Sequence, residues 1–299
     1  MPLVDVVPAP PAPPSILNDI ESISVFLNTP AYVQRSIQDL TLLKFLTPIL
    51  FGQGPAATSG AVAYDQVTQN DLFTGRDVSK IAPGAEYPIL TVQAPTPKMA
   101  LVDKWGGRVQ IFDETVRRGN FNAVLKAFTK LGNTIVRKAD TQGLAVLAAA
   151  PTLTYGFSAT WASSTFAAII DGLIAAKQLV EQQQMGYVVD TLVLSLSEAN
   201  RLLSLAIQNK ALGEVAQAEL VHAGDIGQIL GFDIFATALQ AQGSGYFLAR
   251  KQIGDFSDEV PLTTKSYREE ETDSQWVQGS RSFTAYVTDP KACVTLTGM

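Results

Sequence analysis

The sequence has almost no cysteine or histidine, two of the residue types from which catalytic and metal centres are often built. Its 299 residues include one cysteine, Cys293, and one histidine, His222. A single cysteine excludes an intrachain disulfide, so nothing here indicates an oxidising compartment. One histidine and one cysteine cannot form a usual zinc site, and no EF-hand spacing of carboxylates occurs. A carboxylate-only calcium or magnesium site stays open. We predict no catalytic residue, no cofactor and no metal.

Long apolar runs and long basic runs are also missing. No stretch reaches the roughly 18 apolar residues that a membrane span requires, and the richest, 40–51, contains Lys44 and Pro48. The start of the chain lacks the cationic residues and apolar core of a secretory signal. The formal net charge is −6, which argues against a protein whose main task is to grip nucleic-acid phosphates. We expect a soluble protein that is made in a cytoplasm and does not bind membranes.

Proline and glycine are concentrated near the start of the chain. Residues 1–15 contain six prolines, which predicts an extended arm because each ring fixes φ and removes a hydrogen-bond donor. A short helix is predicted from Tyr32 to Leu46. Residues 52–100 are punctuated by glycine and proline, and the alternating pieces 61–64 and 87–92 predict a long β-hairpin projecting from the body.

The rest of the chain predicts a mixed α+β fold. Apolar residues fall at helical spacing from Phe121 to Ala149, which predicts a helix of about 40 Å that ends before Pro151. Ser163 or Ser164 is predicted to cap a second helix that continues to about Gln184, and Ser197 to cap a third. Predicted strands follow the apolar runs at 191–195, 232–237, 246–249, 262–267, 275–277, 283–287 and 292–296.

This order of elements resembles the major capsid proteins of tailed bacteriophages, which have the Hong Kong 97-type capsid fold that encapsulins share. The resemblance is carried by 102–116 leading into the long helix, and by 191–203, 231–235, 245–254 and 286–296. It implies five segments: an N-terminal arm (1–51), an extended loop (52–100), a peripheral domain with a spine helix (101–156), an axial domain (157–252), and peripheral-domain strands with a closing strand (253–299).

The resemblance also implies a function. Copies would assemble as pentamers and hexamers into an icosahedral shell around double-stranded phage DNA, held non-specifically. The arm and the extended loop would lie over adjacent subunits, because neither has a core of its own. A scaffolding protein, a portal and a decoration protein are the implied partners. The protein would be found in the virion after assembly in the bacterial host cytoplasm.

Two features of the sequence depart from some relatives. The resemblance begins at about residue 20, and because only about twenty residues precede that point, a scaffold is expected to be a separate protein. Some relatives also join a loop lysine to an asparagine covalently. Lys80 and Lys98 lie in the loop, but no asparagine follows Asn209, so we predict no such cross-link.

A charged stretch supplies candidate contacts between subunits. Arg268-Glu-Glu-Glu-Thr-Asp273 is the densest run of charge. It could be a solvated loop, or it could meet Arg117 and Arg118, or Lys104 and Arg108, of a neighbour. The tryptophans are more typical of core or interface anchors than of ligand sites. The candidate intersubunit residues are Arg117, Arg118, Glu269, Glu270, Glu271 and Trp276.

Other functions have less support in the sequence. Residues 52–57 match a loose G-x-G-x-x-A phosphate loop, but Pro55 and the sequel are poor helix formers. No G-x-S-x-G motif accompanies His222, and Gly243-Ser-Gly245 is interpreted as a turn. The alternatives are an encapsulin-type cargo compartment, a small-molecule α/β enzyme built on 163–250, and a tail or decoration protein.

Overall fold

The computed structural model describes residues 46–299 except for 69–70, 72, 75, 85, 92–96, 119–120, 210–227 and 230. Residues 1–45 of the predicted arm, which include all but the last residue of the helix predicted from Tyr32 to Leu46, therefore lie outside the described residues, as does His222. The chain divides into two compact units. Among the described residues, the first unit contains Gly106–Thr134 and Leu262–Ser280, and the second contains the remainder.

The described residues form both helices and sheets, as the sequence predicted. The helices are α1 (Thr47–Leu50), α2 (Asp113–Arg117), α3 (Phe121–Ala149), α4 (Phe166–Glu181) and α5 (Leu196–Gln208). The strands are β1 (Gly52–Gln53), β2 (Ala61–Asp65), β3 (Pro97–Leu101), β4 (Asp103–Phe112), β5 (Leu153–Gly156), β6 (Thr191–Ser195), β7 (Gln228–Ile229), β8 (Phe232–Thr237), β9 (Ser244–Leu248), β10 (Gly254–Glu269), β11 (Ser274–Val287) and β12 (Cys293–Thr297).

The long helix α3 has the bounds that its hydrophobic periodicity predicted. In the first unit Val124, Phe128 and Leu131 are buried, and in the second unit Ala139 and Leu147 continue the apolar stripe. The helix ends after 29 residues because the following Pro151 has no N–H to continue the ladder.

A six-stranded sheet forms the core of the second unit. Its strand order is β5-β12-β9-β6-β8-β7. The central strand β6 is buried at all five positions, which explains why its sequence is continuously apolar rather than alternating. Strand β6 pairs in parallel with β8 and antiparallel with β9, and the helices α4 and α5 contribute to the same hydrophobic core through Ile169, Leu173 and Leu202.

Both predicted helix caps were wrong. Helix α4 is capped by Thr165, whose Oγ1 accepts the Ala168 N–H at 3.4 Å. The hydroxyls of Ser163 and Ser164 instead donate to the carbonyl of Thr160. Helix α5 follows β6 directly, and its N-cap is Ser195, not Ser197. Local serine hydrogen bonds compete with capping, so sequence alone does not identify which hydroxyl caps a helix.

The strands near the C-terminus are longer than predicted. The segments 275–277 and 283–287 were predicted as separate strands, but both belong to the continuous strand β11. Strand β10 likewise begins eight residues before the predicted strand at Leu262. The four-stranded sheet has the order β1-β10-β11-β4. Pairing with neighbours on both sides keeps the polar and glycine-containing stretch 278–282 extended.

Candidate assembly surfaces

The strands β2 and β3 form an antiparallel pair at the base of the predicted extended loop. Val62 lies opposite Ala100, and Ala63 lies opposite Met99. The prediction that residues 87–92 form the second strand of this hairpin was wrong, since residues 97–101 pair with β2 instead. Pro97 stands at the first position of β3, where proline is tolerated in a strand.

One face of this pair is fixed to β11 by aromatic packing. Val62 is buried with Ala57 and Tyr286. The rings of Tyr64 and Tyr286 stack with their centroids 4.7 Å apart. Burial raises the pKa of both phenols above the ordinary tyrosine value. The base of the loop is therefore held by a small core of its own.

The opposite face of the pair, and the loop beyond it, expose apolar side chains. Met99 and Leu101 are 71% and 73% exposed, and their side chains alternate with that of the more sheltered Ala100. Within the loop, Tyr87 and Ile89 are each 80% exposed. Isolated exposed apolar residues are ordinary, but a concentration of them in one projecting segment indicates a contact surface.

A buried carboxylate joins α3 to the segment before the loop. Asp140 is 6% exposed, and its Oδ1 accepts hydrogen bonds from the N–H groups of Leu46 and Thr47 at 3.0 and 2.9 Å and from the Thr47 hydroxyl at 2.9 Å. These amides begin α1, whose own N-cap residue supplies no side-chain cap. Gly143, one turn further along α3, leaves room for Thr47, because a Cβ there would lie 2.7 Å from the Thr47 hydroxyl oxygen.

In the first unit, Arg268 holds together one end of the β10–β11 turn. Its guanidinium lies 2.9 Å from Asp113, 2.7 Å from Glu270 and 3.5 Å from Asp273. Hydrogen bonds to Asp113 and Glu270 raise the pKa of Arg268. Of the predicted intersubunit residues, Glu270 therefore has a partner within its own chain.

Trp276 and Glu269 also make contacts inside the first unit. The Trp276 indole Nε1 donates to Glu269 Oε2 at 2.7 Å, and the Thr272 hydroxyl donates to the same oxygen. These two hydrogen bonds, with a smaller contribution from Arg108, lower the pKa of Glu269. The Arg108 guanidinium lies 4.3 Å from the centre of the Trp276 ring and donates to the Tyr267 hydroxyl at 3.1 Å.

The other predicted contact residues lie at the surface. Arg117, Arg118 and Glu271 are exposed, and within the described residues no side-chain ion pair of theirs is observed. The acidic turn and α2 lie close together, since the Asp113 N–H donates to the Asp273 carbonyl at 3.0 Å. The first unit therefore exposes charges of both signs at its surface.

Catalytic and metal chemistry is not found in the described part of the chain. Cys293 is buried, and burial raises the pKa of its thiol. Among the described residues no group of three or more His, Cys, Asp or Glu side chains could hold a metal ion. The sequence resembling a phosphate loop contributes the two-residue strand β1, which no helix follows directly. None of the helices in the described ranges has the length and apolar character needed to cross a membrane.

The arrangement of these elements is that of the Hong Kong 97-type capsid fold, as comparison with solved structures shows. A virus-like particle from Pyrococcus furiosus is similar over 88% of this chain and 97% of its own, with a TM-score of 0.61 and 13% identity. The capsid of cyanophage P-SCSP1u matches over 85% of this chain and 88% of its own, with a TM-score of 0.60 and 14% identity. The capsid of Myoviridae phage XM1 matches over 85% and 90%, with a TM-score of 0.60 and 13% identity.

Sequence comparison shows the family. The profile of the phage capsid protein family matches residues 95–296, so the chain belongs to that family. None of the curated proteins matches it. It is a structural component of a phage virion capsid and not an enzyme, and the predicted resemblance is confirmed.

Proposed function

We propose that this protein assembles as pentamers and hexamers into an icosahedral shell that encloses double-stranded phage DNA. The observation that carries the proposal is the concentration of exposed apolar side chains in the extended loop, with Tyr87, Ile89, Met99 and Leu101 each at least 71% exposed. Such residues cost free energy in water unless another surface covers them, at about 25 cal/mol for each Å² of apolar area. A shell of many copies supplies that surface.

The five segments of the subunit, 1–51, 52–100, 101–156, 157–252 and 253–299, take the roles of arm, loop, peripheral domain, axial domain and closing strands in this proposal. A separate scaffolding protein and a portal would be needed to set the size of the shell and to admit DNA, and a decoration protein could bind its outside. Assembly would take place in the cytoplasm of the bacterial host, without a membrane.

Nuclease treatment of particles isolated from phage-producing cells tests whether the shell encloses DNA. We expect double-stranded DNA inside the particles to survive digestion that destroys added DNA. Particles that protect a protein cargo and no nucleic acid would favour the compartment alternative and overturn the DNA-containing shell.

We also propose a charged contact between subunits at the first unit. Arg117 and Arg118 of one copy would meet Glu271 of the next, with Glu269, Glu270 and Trp276 holding the acidic turn in shape. The support is the chemistry of the surface: Glu270 and Glu269 have partners in their own chain, whereas Arg117, Arg118 and Glu271 are exposed charges of opposite sign. One such pair contributes little, but a shell repeats it at every equivalent position.

Charge-reversal variants distinguish a contact between subunits from a loop whose charges are only solvated. Glu271→Arg alone, and Arg117→Glu with Arg118→Glu, should each lower the yield of particles, and combining all three should restore it. Asp171→Arg, which reverses an exposed carboxylate on α4, is the matched control. Unchanged yields in every variant would show that the charges are only solvated.

A further inference from the structure

The exposed side of α3 carries positive charge and no negative charge. From 126 to 148 the exposed residues of the helix recur every three or four positions, so they lie on one side of it. Lys126, Lys130 and Arg137 carry the charge, and the remaining exposed positions are threonine or alanine. The only acidic residue of α3, Asp140, is buried. These exposed residues form a basic stripe about 33 Å long, at 1.5 Å per residue.

The charges of the basic stripe are not used within the subunit. In the part of the chain that the structure describes, Lys126, Lys130 and Arg137 form no ion pair. The hydroxyls of Thr134 and Thr141 each donate to a carbonyl of α3 itself, at 2.7 Å. The three cations are therefore the groups that the stripe presents to a partner.

The composition of the stripe favours a nucleic acid over a protein as that partner. Protein interfaces are depleted in lysine and depend on aromatic and other large anchors, whereas the uncharged residues of the stripe are only threonine and alanine. A row of cations with no acid among them is also unusual in a chain whose formal net charge is −6. Such a row is complementary to a regular polyanion.

The spacing of the cations suits the phosphates of a duplex. Lys126 and Lys130 are about 6 Å apart along the helix axis, and Arg137 lies about 10 Å further on. Each strand of double-stranded DNA has a phosphate about every 3.4 Å of axis. Each cation can therefore reach a separate phosphate, and the small side chains between them do not hold the duplex away from the helix.

We propose that the basic stripe of α3 is the surface of the subunit that contacts the phosphates of the enclosed double-stranded DNA. The inference rests on the proposed shell that encloses DNA, and goes beyond it by naming the residues that meet the DNA and the side of the subunit that faces inward. Contacts from lysine and arginine to phosphates do not read the base sequence. Each copy contributes only a few of them, so the DNA is held by repetition of the stripe and not by any one copy.

Photochemical cross-linking in particles from phage-producing cells tests the contact. Thr134 lies in the stripe between Lys130 and Arg137, so replacing it with the photoreactive residue benzoylphenylalanine leaves all three cations in place. Irradiation should join the protein covalently to the nuclease-protected DNA. The same replacement at Val188, which is 66% exposed outside α3, is the control and should give few adducts.

The outcomes of this experiment separate the stripe from the shell. Protected DNA with no more adducts at Thr134 than at Val188 would overturn the stripe as the DNA surface. Adducts at Thr134 with a second protein and not with DNA would overturn it too, in favour of a protein partner. If the particles protect no DNA at all, it is the proposed DNA-containing shell that fails.

Salt dependence gives a second test, on the unassembled subunit and a short DNA duplex. Three phosphate contacts predict that the logarithm of the binding constant falls with the logarithm of salt concentration with a slope of about −2.7, and Lys126→Gln with Lys130→Gln should reduce the slope to about −0.9. Lys80→Gln with Lys265→Gln removes two other exposed lysines and should leave the slope unchanged. Equal changes in the two pairs would show that only net charge matters. No binding by the unmodified subunit at about 50 mM salt would also overturn the proposal.

Discussion

The ring of Tyr64, in the first strand of the extended loop, stacks on the ring of Tyr286 in β11, with the ring planes 28° apart. These two residues are more than two hundred positions apart in sequence. Their contact determines where the base of the loop is anchored, while the described residues of the loop beyond it form no comparable core. The loop thus has a fixed base and an exposed surface, which suits a segment that reaches a neighbour.

Replacing Tyr64 should loosen the base of the loop without unfolding the body. A stacked aromatic pair adds about 0.5–1.5 kcal/mol beyond area burial, so Tyr64→Ala should speed amide hydrogen exchange in β2 and β3 by roughly fivefold. Tyr64→Phe keeps the stack and is the control. Equal protection of β2 in the unmodified chain and in Tyr64→Ala would show that the stack does not hold the loop.

Removing Asp140 should destabilise the subunit. The N–H groups of Leu46 and Thr47 would lose their buried acceptor, whereas the Thr47 hydroxyl can still donate to the Ala139 carbonyl. Leaving a buried donor unpaired costs about 1–3 kcal/mol, so Asp140→Ala should lower the free energy of unfolding by roughly 3 kcal/mol. Asp140→Asn retains an oxygen acceptor and should cost less. Urea unfolding of the unassembled subunit measures both, with Thr141→Ala, on the exposed side of α3, as the control. Equal midpoints for Asp140→Ala and Thr141→Ala would contradict the capping role.

The acidic turn should contribute a pH-dependent part of the stability. The Trp276 and Thr272 hydrogen bonds hold the pKa of Glu269 below the ordinary glutamate value. A carboxyl with a lowered pKa in the folded state adds stability that is fully present above its ordinary pKa and is lost as the pH falls through the folded-state pKa. Glu269→Gln should therefore reduce the loss of unfolding free energy at acid pH. Trp276→Phe, which removes one of the two hydrogen bonds, should reduce it partly. The measurement is the free energy of unfolding in urea at a series of acid pH values. The same dependence on pH in the unmodified chain, Glu269→Gln and Trp276→Phe would contradict this assignment.

The exposed face of β3 should matter for assembly and not for folding. Met99→Ser with Leu101→Ser removes two exposed apolar side chains from the loop, so the subunit should unfold at the same urea concentration but form fewer particles. Val188→Ser is the matched control, because Val188 is 66% exposed outside the loop. Particle yield by sedimentation measures the difference. A lower unfolding midpoint in the double variant would show that these side chains stabilise the subunit itself.

The elements that the sequence predicted well are those with a strong local pattern. Helix α3 has eight apolar residues on one stripe, and β6 is apolar throughout, so neither depends on knowledge of its neighbours. The strand 97–101 gave no such signal, because Pro-Lys-Met-Ala-Leu has little strand propensity and becomes a strand only by pairing with β2. The continuity of β11 through Gly279 likewise depends on the strands on either side of it.

The candidate surface residues show the same limit. The charge of 268–273 was evident in the sequence, but the fold decides that Arg268 meets Asp113, more than 150 positions away, and that Trp276 meets Glu269. The parallel pairing of β1 with β10 could not be predicted from the sequence either, since a two-residue strand has no pattern of its own. Long-range contacts of this kind leave no periodic trace along the chain.

Negative-stain electron microscopy of the protein, expressed alone and with a candidate scaffold, tests the central claim most directly. The account predicts uniform closed shells, or isolated pentamers and hexamers that close when the scaffold is present. Monodisperse monomers or small dimers under every condition would contradict it.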